Sequence, residues 1–188
     1  MNTKRLFFLT LSPSQEKMLR SLGMYKFLTT GQLLRLGVMS NRDNINKQLS
    51  ELRSWRNPLI NSIAFGTHPK VWKLEHLHHL TSHGAELLRE RFGVEVPIRF
   101  PKRNTIIFQQ DYFHRIATVN CHIFLQQRAV QQEIEILFFK TYFDKLWTGK
   151  KKGFRAESAI PIRNDEYLIA DALCMLQTQV RKELFAIE

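Results

Sequence analysis

The chain has 188 residues, 44% of them hydrophobic, which is enough apolar material for one large core or two small ones. This composition excludes a disordered chain, and no stretch of the sequence approaches the roughly 18 apolar residues that a membrane span requires. The 28 Lys and Arg against 17 Asp and Glu give a formal net charge of +11. A charge of this sign makes nucleic acid the leading class of partner and acidic lipid the second.

The charge is unevenly distributed along the chain. Residues 1–110 hold 17 Lys and Arg against 7 Asp and Glu, a net of +10, whereas residues 111–188 hold 11 against 10. We therefore expect the N-terminal half to contact phosphate groups. Cys121 and Cys174 lie in apolar contexts far apart in sequence, which is typical of reduced cysteines that pack as small hydrophobic residues. Together with a first segment that lacks the features of a signal peptide, they predict a cytoplasmic protein without a membrane partner.

Three short helices and a hairpin are predicted in the first third of the chain. The first helix covers residues 10–23 and is ended by Gly23, and the second is GQLLRLG. The third, RDNINKQLSELRSW, carries apolar residues at i, i+4 and i+7, so it would bury one face. A Ser, Thr or Asn suited to capping precedes each helix. Two short strands around the turn-forming GTHPK follow.

This order is typical of a winged helix–turn–helix, in which the third helix enters the major groove and the wing contacts the flanking backbone. Asn44 and Gln48 lie one helical turn apart and carry amides that suit adenine edges, while the nearby basic side chains suit phosphate or guanine. The predicted DNA-binding residues are Arg42, Asn44, Lys47, Gln48, Arg53 and, in the wing, Lys70. The alternative is a protein–protein module with a solvated charged face; the concentrated positive charge favours DNA.

Four histidines follow the predicted hairpin: His76, His78, His79 and His83. Their spacing fits no regular zinc pattern and no cysteine accompanies them, so we interpret the segment as a polar hinge with solvated histidines. Next, TSHGAELLRERFG predicts a capped helix, and VEVPIRFPKRN, with two prolines, predicts a linker. The predicted domains are residues 1–103 and 104–188.

The second half begins with a helix predicted over residues 111–127, and His114 lies near its start. The apolar stripe of this helix is Ile116, Val119, Ile123 and Phe124. The segment QQEIEILFF that follows fits either a helix or a strand and carries Glu135.

A strand is predicted from Tyr167 to Leu176, apolar except for Asp171. A carboxylate among apolar neighbours on one strand face requires a compensating cation or metal. If this strand forms a hairpin with Leu184–Glu188, centred between residues 179 and 180, Asp171 lies directly opposite Glu188. The two carboxylates could then hold one divalent cation. The alternative is a surface hairpin with two unrelated solvated acids.

Several segments, taken in order, resemble the replication-relaxation family, which includes the MobC-type relaxases of mobilisable plasmids. The matching segments are LTSHGAELL, FHRIATVNCHIFL, QQEIEIL, ADAL and FAIE, and the resemblance covers most of the chain. It implies an α+β protein in which a winged helix–turn–helix is followed by an α/β domain similar to the PD-(D/E)XK restriction endonucleases. In that fold, acids on a mixed sheet bind a divalent metal.

The resemblance also implies a set of catalytic residues. Asp171 takes the place of the first acid, although Ala170 replaces the usual proline, and Glu188 takes the place of the second. Glu135 would be a helix-borne third acid, and His114 matches the histidine of the preceding helix. The implied cofactor is Mg²⁺ or Mn²⁺, held by Asp171 and Glu188. Because the family pattern continues beyond the glutamate of FAIE, we expect the second domain to be incomplete at its C-terminus.

The function implied by the resemblance is that of a plasmid relaxase or endonuclease. Such a protein binds double-stranded DNA at a transfer origin and nicks one strand in a metal-dependent reaction, with other mobilisation proteins as further partners. The attacking group would be water or a tyrosine, and Tyr112, Tyr142 and Tyr167 are available. The alternative is a sequence-specific DNA-binding protein without catalysis, acting in plasmid replication or transcription.

Overall fold

The computed structural model of the chain describes residues 10–93, 111–147, 154–163 and 166–188. It is a mixed α+β protein with small antiparallel sheets, and it divides into two compact units, Met1–Tyr112 and Phe113–Glu188. The domain boundary predicted near residue 103 lies outside the described residues. Within the described ranges, no helix is both long enough and apolar enough to cross a membrane.

The first unit contains four helices and four short strands in its described part. They are α1 (Pro13–Tyr25), α2 (Thr30–Arg35), α3 (Arg42–Ser54), β1 (Ile60–Ile63), β2 (Thr67–His68), β3 (Trp72–Lys73), β4 (Leu77–Leu80) and α4 (Ser82–Phe92). The elements that follow are α5 (Tyr112–Gln131), β5 (Glu135–Thr141), β6 (Lys145–Trp147), β7 (Phe154–Ala156), β8 (Ala159–Arg163), β9 (Glu166–Ile169), β10 (Ala172–Gln177) and β11 (Lys182–Ile187).

Capping side chains fix where the first helices begin, as the sequence predicted. Ser12 and Gln15 form a reciprocal capping box at the start of α1, and Thr29 and Gln32 form a second one at the start of α2. The predicted end of α1 is wrong, because the helix continues through the buried Gly23 to Tyr25. Glycine is tolerated in a helix interior when tertiary packing compensates for its low propensity.

Strand β4 corrects the interpretation of the histidine-rich segment as a solvated hinge. It pairs antiparallel with β1, so that Ile60 lies opposite Leu80, and the short β2–β3 hairpin lies between these two strands in the chain. All four residues of β4 are buried, including His78 and His79. The flanking leucines supply apolar surface, and pairing with β1 provides hydrogen-bond partners for the backbone N–H and C=O groups. The segment therefore folds as an interior strand.

The core of the first unit is built on the predicted apolar stripe of α3, whose Ile45, Leu49 and Leu52 are fully buried. Helix α4 packs close to the chain that leads into β1. A Cβ atom added at Gly84 of α4 would lie 2.1 Å from the carbonyl oxygen of Leu59. Only glycine permits this approach of a helix to a backbone carbonyl.

The second unit is centred on a three-stranded antiparallel sheet in the order β11-β10-β5. Ala172 pairs with Ile187 and Gln177 pairs with Lys182, which confirms the predicted centre of the β10–β11 hairpin between residues 179 and 180. The turn contains no glycine. Instead, the Thr178 hydroxyl accepts hydrogen bonds from the amides of Val180 and Arg181, at 3.3 and 3.1 Å.

The predicted continuous strand from Tyr167 to Leu176 is wrong. The chain forms two strands, β9 and β10, that pair with different partners and are separated by Ala170 and Asp171. The Ser158 hydroxyl donates to the Ala170 carbonyl at 2.5 Å, and the Tyr142 amide donates to the Asp171 carbonyl at 3.1 Å. These hydrogen bonds hold the chain at the point where the pairing of β9 with β8 ends and the pairing of β10 with β5 begins. Asp171 therefore does not share a single strand face with Tyr167.

Two further predictions for the second unit need correction. The segment that fitted helix or strand is the strand β5, and Glu135 is therefore not a helix-borne acid. In α5, Val119 and Ile123 are buried, but Phe124 is 60% exposed, so the apolar stripe is narrower than predicted. Both cysteines carry free thiols. Burial, with Cys121 nearby, raises the pKa of the buried Cys174 thiol to about 11.

Candidate functional site

His114 and Asp171 meet in the second unit, although they are far apart in sequence. The Nε2 atom of the imidazole lies 2.5 Å from Oδ2 of the carboxylate. His114 belongs to the first turn of α5, and Asp171 occupies the break between β9 and β10. Their side chains are 45% and 28% exposed, so a solvent molecule or a substrate can reach the pair. Two residues that the family resemblance implied as catalytic are therefore in direct contact.

The backbone around Asp171 is held on both sides. Its own carbonyl accepts from the Tyr142 amide, and the carbonyl of Ala170 accepts from the Ser158 hydroxyl. Ala170 and Ala172 are completely buried, so small side chains allow the strand break to lie against the rest of the unit. A carboxylate on such an anchored backbone keeps a defined position relative to the imidazole.

One face of the His114 imidazole lies against an aromatic ring. The ring of Tyr142 stacks on it, with centroids 4.9 Å apart and planes inclined by 30°. Phe143 meets Tyr142 edge-on, and the guanidinium of the buried Arg115 lies 4.3 Å from the Phe143 ring centroid. These contacts orient the imidazole toward Asp171, and they bring a tyrosine that was a candidate nucleophile next to the His–Asp pair.

Asp144 is a buried acid that the sequence interpretation missed. Its Oδ2 accepts a hydrogen bond of 2.8 Å from the Thr141 hydroxyl, and its backbone carbonyl accepts one of 2.7 Å from the Glu157 amide. The only local signal is the spacing of Thr141 and Asp144, which is that of a turn closed by side chains. The contacts indicate a structural role in the turn between β5 and β6.

The other predicted acids lie elsewhere on the sheet. Glu135 pairs with Gln177, at the opposite end of β10 from Asp171. At about 3.4 Å per strand residue, this separates the two acids by roughly 20 Å, so the structure does not bring Glu135 to the pair. Glu188 is exposed and follows Ile187, which pairs with Ala172; continued register would set it opposite Asp171.

The implied metal requires several converging ligands, since Mg²⁺ and related ions coordinate about six oxygen atoms. In the part of the chain that the structure describes, no three His, Cys, Asp or Glu side chains are grouped so that they could hold a metal ion. The described residues thus provide the His114–Asp171 pair but not a complete ligand set. The Mg²⁺ or Mn²⁺ site on Asp171 and Glu188 stays a prediction.

The predicted DNA-binding residues lie on α3 and at the tip of the β2–β3 hairpin. Asn44, Lys47 and Lys70 are exposed. Arg42 is about half exposed and forms a short ion pair with Glu75, which lies between β3 and β4. Gln48 is partly buried, and among the described residues its Oε1 has no hydrogen-bond partner. This oxygen is itself buried, so a contact of the Gln48 amide with a DNA base would require the side chain to change its conformation.

Arg53 takes part in a polar network inside the first unit. Its guanidinium donates to the Ser62 hydroxyl at 2.9 Å, and that hydroxyl lies 2.8 Å from Nδ1 of His78. On the other side of the imidazole, Thr30 Oγ1 lies 3.4 Å from Nε2 and donates to Asn46 at 3.0 Å. The network joins α2, α3, β1 and β4.

Burial is the largest cause that lowers the pKa of His78, to about 3, and the charges of Arg53, His76 and His79 act in the same direction. This imidazole is therefore neutral near pH 7, and its contacts are those of a structural residue. The sequence signal that could have found it is the pattern Leu-His-His-Leu, in which apolar residues flank the pair.

Comparison with protein-family models, with curated proteins and with solved structures finds no match to this chain.

Proposed function

We propose that the chain binds DNA through its first unit and nicks one strand at the His114–Asp171 pair of its second unit. The observation that carries this proposal is the 2.5 Å contact between the imidazole and a solvent-accessible carboxylate. A carboxylate bonded to an imidazole orients the ring and stabilises its protonated form, which is the arrangement that enzymes use for general acid–base catalysis.

The DNA-binding part of the proposal treats the first unit as a winged helix–turn–helix. It is supported by the order of three helices followed by the β1–β4 pair, with the β2–β3 hairpin between these strands as the wing. Helix α3 would then be the recognition helix, with Asn44 and Lys47 available on its exposed side. The net charge of +10 in residues 1–110 supplies the attraction to phosphate.

In the proposed reaction, the pair takes the proton of an attacking water or hydroxyl as its oxygen bonds to phosphorus. The bond from phosphorus to one deoxyribose oxygen breaks, and that oxygen receives a proton in turn. The ring of Tyr142, one of the candidate nucleophiles, stacks on the His114 imidazole. The order of the family-like segments supports the assignment of plasmid DNA at a transfer origin as the substrate.

The test follows nicking of supercoiled plasmid by the wild type and by Asp171→Asn, with Mg²⁺ or Mn²⁺ present. Because asparagine keeps the shape of aspartate but lacks its negative charge, it would not favour proton uptake by the imidazole, and we expect nicking to fall by roughly 10²- to 10⁴-fold. Binding of a labelled duplex should stay unchanged, because Asp171 lies outside the DNA-binding unit. Equal nicking by the two proteins would refute the catalytic role.

A DNA-binding protein without catalysis is the second candidate. It is favoured by the exposed polar face of α3, which presents Asn44 and Lys47 and lies wholly in the first unit. Changing Asn44 and Gln48 to alanine should weaken binding to the specific site more than binding to random DNA, because amides that contact base edges act only at the correct sequence. Specific binding without nicking under any metal condition would establish this second candidate.

A further inference from the structure

The tip of the β2–β3 hairpin presents an exposed tryptophan. Trp72 is 82% exposed, more than any other large aromatic side chain in the described ranges. An indole buries a large apolar area when a partner is present, so solvent exposure of the whole ring is unfavourable in the absence of one. The exposed indole is therefore available to contact a ligand.

The hairpin backbone fixes the direction of this side chain. The Val71 amide donates to the His68 carbonyl at 3.2 Å, which closes a turn that Pro69 begins. Trp72, the first residue of β3, pairs with His68 and has a φ of 58°, in the left-handed region that glycine or asparagine usually occupies. A bulky residue is rare there, and strained positions of this kind concentrate at binding sites.

The charge around the indole is positive. Lys70 and Lys73 flank Trp72 and are exposed, and the segment from Gly66 to Leu74 contains no acidic residue. The first acid beyond it, Glu75, is engaged by Arg42. The hairpin tip thus combines a flat aromatic surface with a cation on each side of it in sequence.

We propose that Trp72 stacks on an unpaired DNA base while Lys70 and Lys73 contact the neighbouring phosphates. This inference rests on the proposed function, in which the same chain binds DNA and breaks one of its strands. Base stacking on an aromatic ring is tolerant of sequence, and lysines that follow the backbone complete such sites. A bilayer is a poorer partner, because the apolar surface at the tip is limited to Val71 and Trp72, too small for interfacial insertion.

The experiment measures the affinity of the full chain for three labelled oligonucleotides by fluorescence anisotropy. These are a single strand, a duplex, and the same duplex with a short unpaired bubble. Changing Trp72 to alanine should weaken binding to the single strand and the bubble by roughly 5- to 150-fold, the loss of one stacked base. Binding to the paired duplex should change by less than about twofold, since the stack needs an unpaired base.

Two variants keep the test independent of folding. Trp72→Phe retains an aromatic face and should keep most of the affinity for the bubble, whereas Val71→Ala, at the neighbouring exposed position, should bind like the wild type. Changing Lys70 and Lys73 to glutamine should lower the salt dependence of single-strand binding by about one to two ion equivalents.

Loss of affinity for the paired duplex equal to that for the bubble, or no loss on either, would overturn the stacking proposal while leaving the proposed function intact. A wild type that binds none of the three DNAs would instead refute the proposed function. Binding of the wild type, but not of Trp72→Ala, to anionic phospholipid vesicles in preference to DNA would assign the tip to a membrane and would also overturn the proposal.

Discussion

Each unit places one histidine among polar partners, and the two environments differ in burial and charge. His78 of the first unit is 4% exposed and lies between the hydroxyls of Ser62 and Thr30. His114 of the second unit is about half exposed and faces the carboxylate of Asp171. The first imidazole is kept neutral and joins secondary-structure elements, whereas the second is open to solvent and contacts an acid. The partner and the exposure decide the role of a histidine, and neither is visible in its local sequence.

The largest effect is expected for changes to His114 and Asp171, whose side chains are partly exposed to solvent. If His114 and Asp171 act as one unit, His114→Gln and Asp171→Asn should each lower plasmid nicking by roughly 10²- to 10⁴-fold. The double variant should then be no more than about tenfold worse than either single variant, because each change already removes the function of the pair. The measurement is a double-mutant cycle of initial nicking rates for the wild type, the two single variants and the double variant.

The control for this cycle is duplex binding, which should be the same for all four proteins. If the fold-loss of nicking in the double variant equals the product of the two single losses, a joint role is contradicted. His114 and Asp171 would then act independently, and the contact with Asp171 would not be what distinguishes the role of His114 from that of His78.

The sequence predicted local features of both units well. Side-chain caps placed the starts of α1 and α2, and the symmetry of apolar residues around 179 and 180 placed the β10–β11 register. These features depend on neighbours within a few residues. The break at Asp171 depends instead on Ser158 and on the Tyr142 amide, which are contributed by other strands and turns. A run of strand-forming residues gives no sign of the point at which the chain changes pairing partner.

The candidate site shows the same limit. The family resemblance implied both His114 and Asp171, but their contact joins a helix to a strand break, and no spacing rule predicts it. The resemblance also suggested Glu135, which the antiparallel register of β5 places at the far end of β10. Direction and register of distant strands decide which acids converge, and both are tertiary properties.

The second prediction tests the close packing of α4 against the chain that leads into β1. Gly84→Ala should lower the free energy of unfolding by about 1–3 kcal/mol or more. The new Cβ would lie 2.1 Å from the Leu59 carbonyl oxygen, and moving this backbone atom away would disturb the chain that leads into β1. Urea unfolding measured by circular dichroism gives the change. The matched control is Ser82→Ala, two residues earlier on the exposed side of α4, with an expected change within about 0.5 kcal/mol. Equal stability of Gly84→Ala and the wild type would show that α4 can withdraw from β1.

The third prediction uses the neutral state of His78. Its pKa is lowered from 6.5 to about 3, chiefly by burial, so below about pH 6.5 the unfolded chain binds a proton that the folded chain does not. The free energy of unfolding should therefore decrease as the pH falls from about 6.5 toward 3, with this residue contributing at most about 1.4 kcal/mol per pH unit. Burial lowers the pKa of His79 as well, which adds to the slope in the same direction.

Urea unfolding at a series of pH values checks the third prediction. His78→Gln keeps a polar side chain without a titrating group, so its stability should be lower near pH 7 but should depend less steeply on pH. An unchanged slope in this variant would assign the acid sensitivity to other groups.

The smallest expected effect concerns the DNA-binding surface of the first unit, where Glu75 competes with phosphate for Arg42. The pair is partly exposed, and exposed ion pairs contribute about 0.2–1 kcal/mol, so Glu75→Gln should raise affinity for a non-specific duplex by roughly 1.5- to 5-fold. Release of Arg42 to one more phosphate should also steepen the salt dependence by about one ion equivalent. Glu51→Gln is the matched control, because it removes the same charge from an exposed position on α3. An equal gain in affinity in that control would mean that only the change in net charge matters. A larger gain in Glu75→Gln would identify Arg42 as a phosphate contact that the ion pair with Glu75 weakens in the wild type.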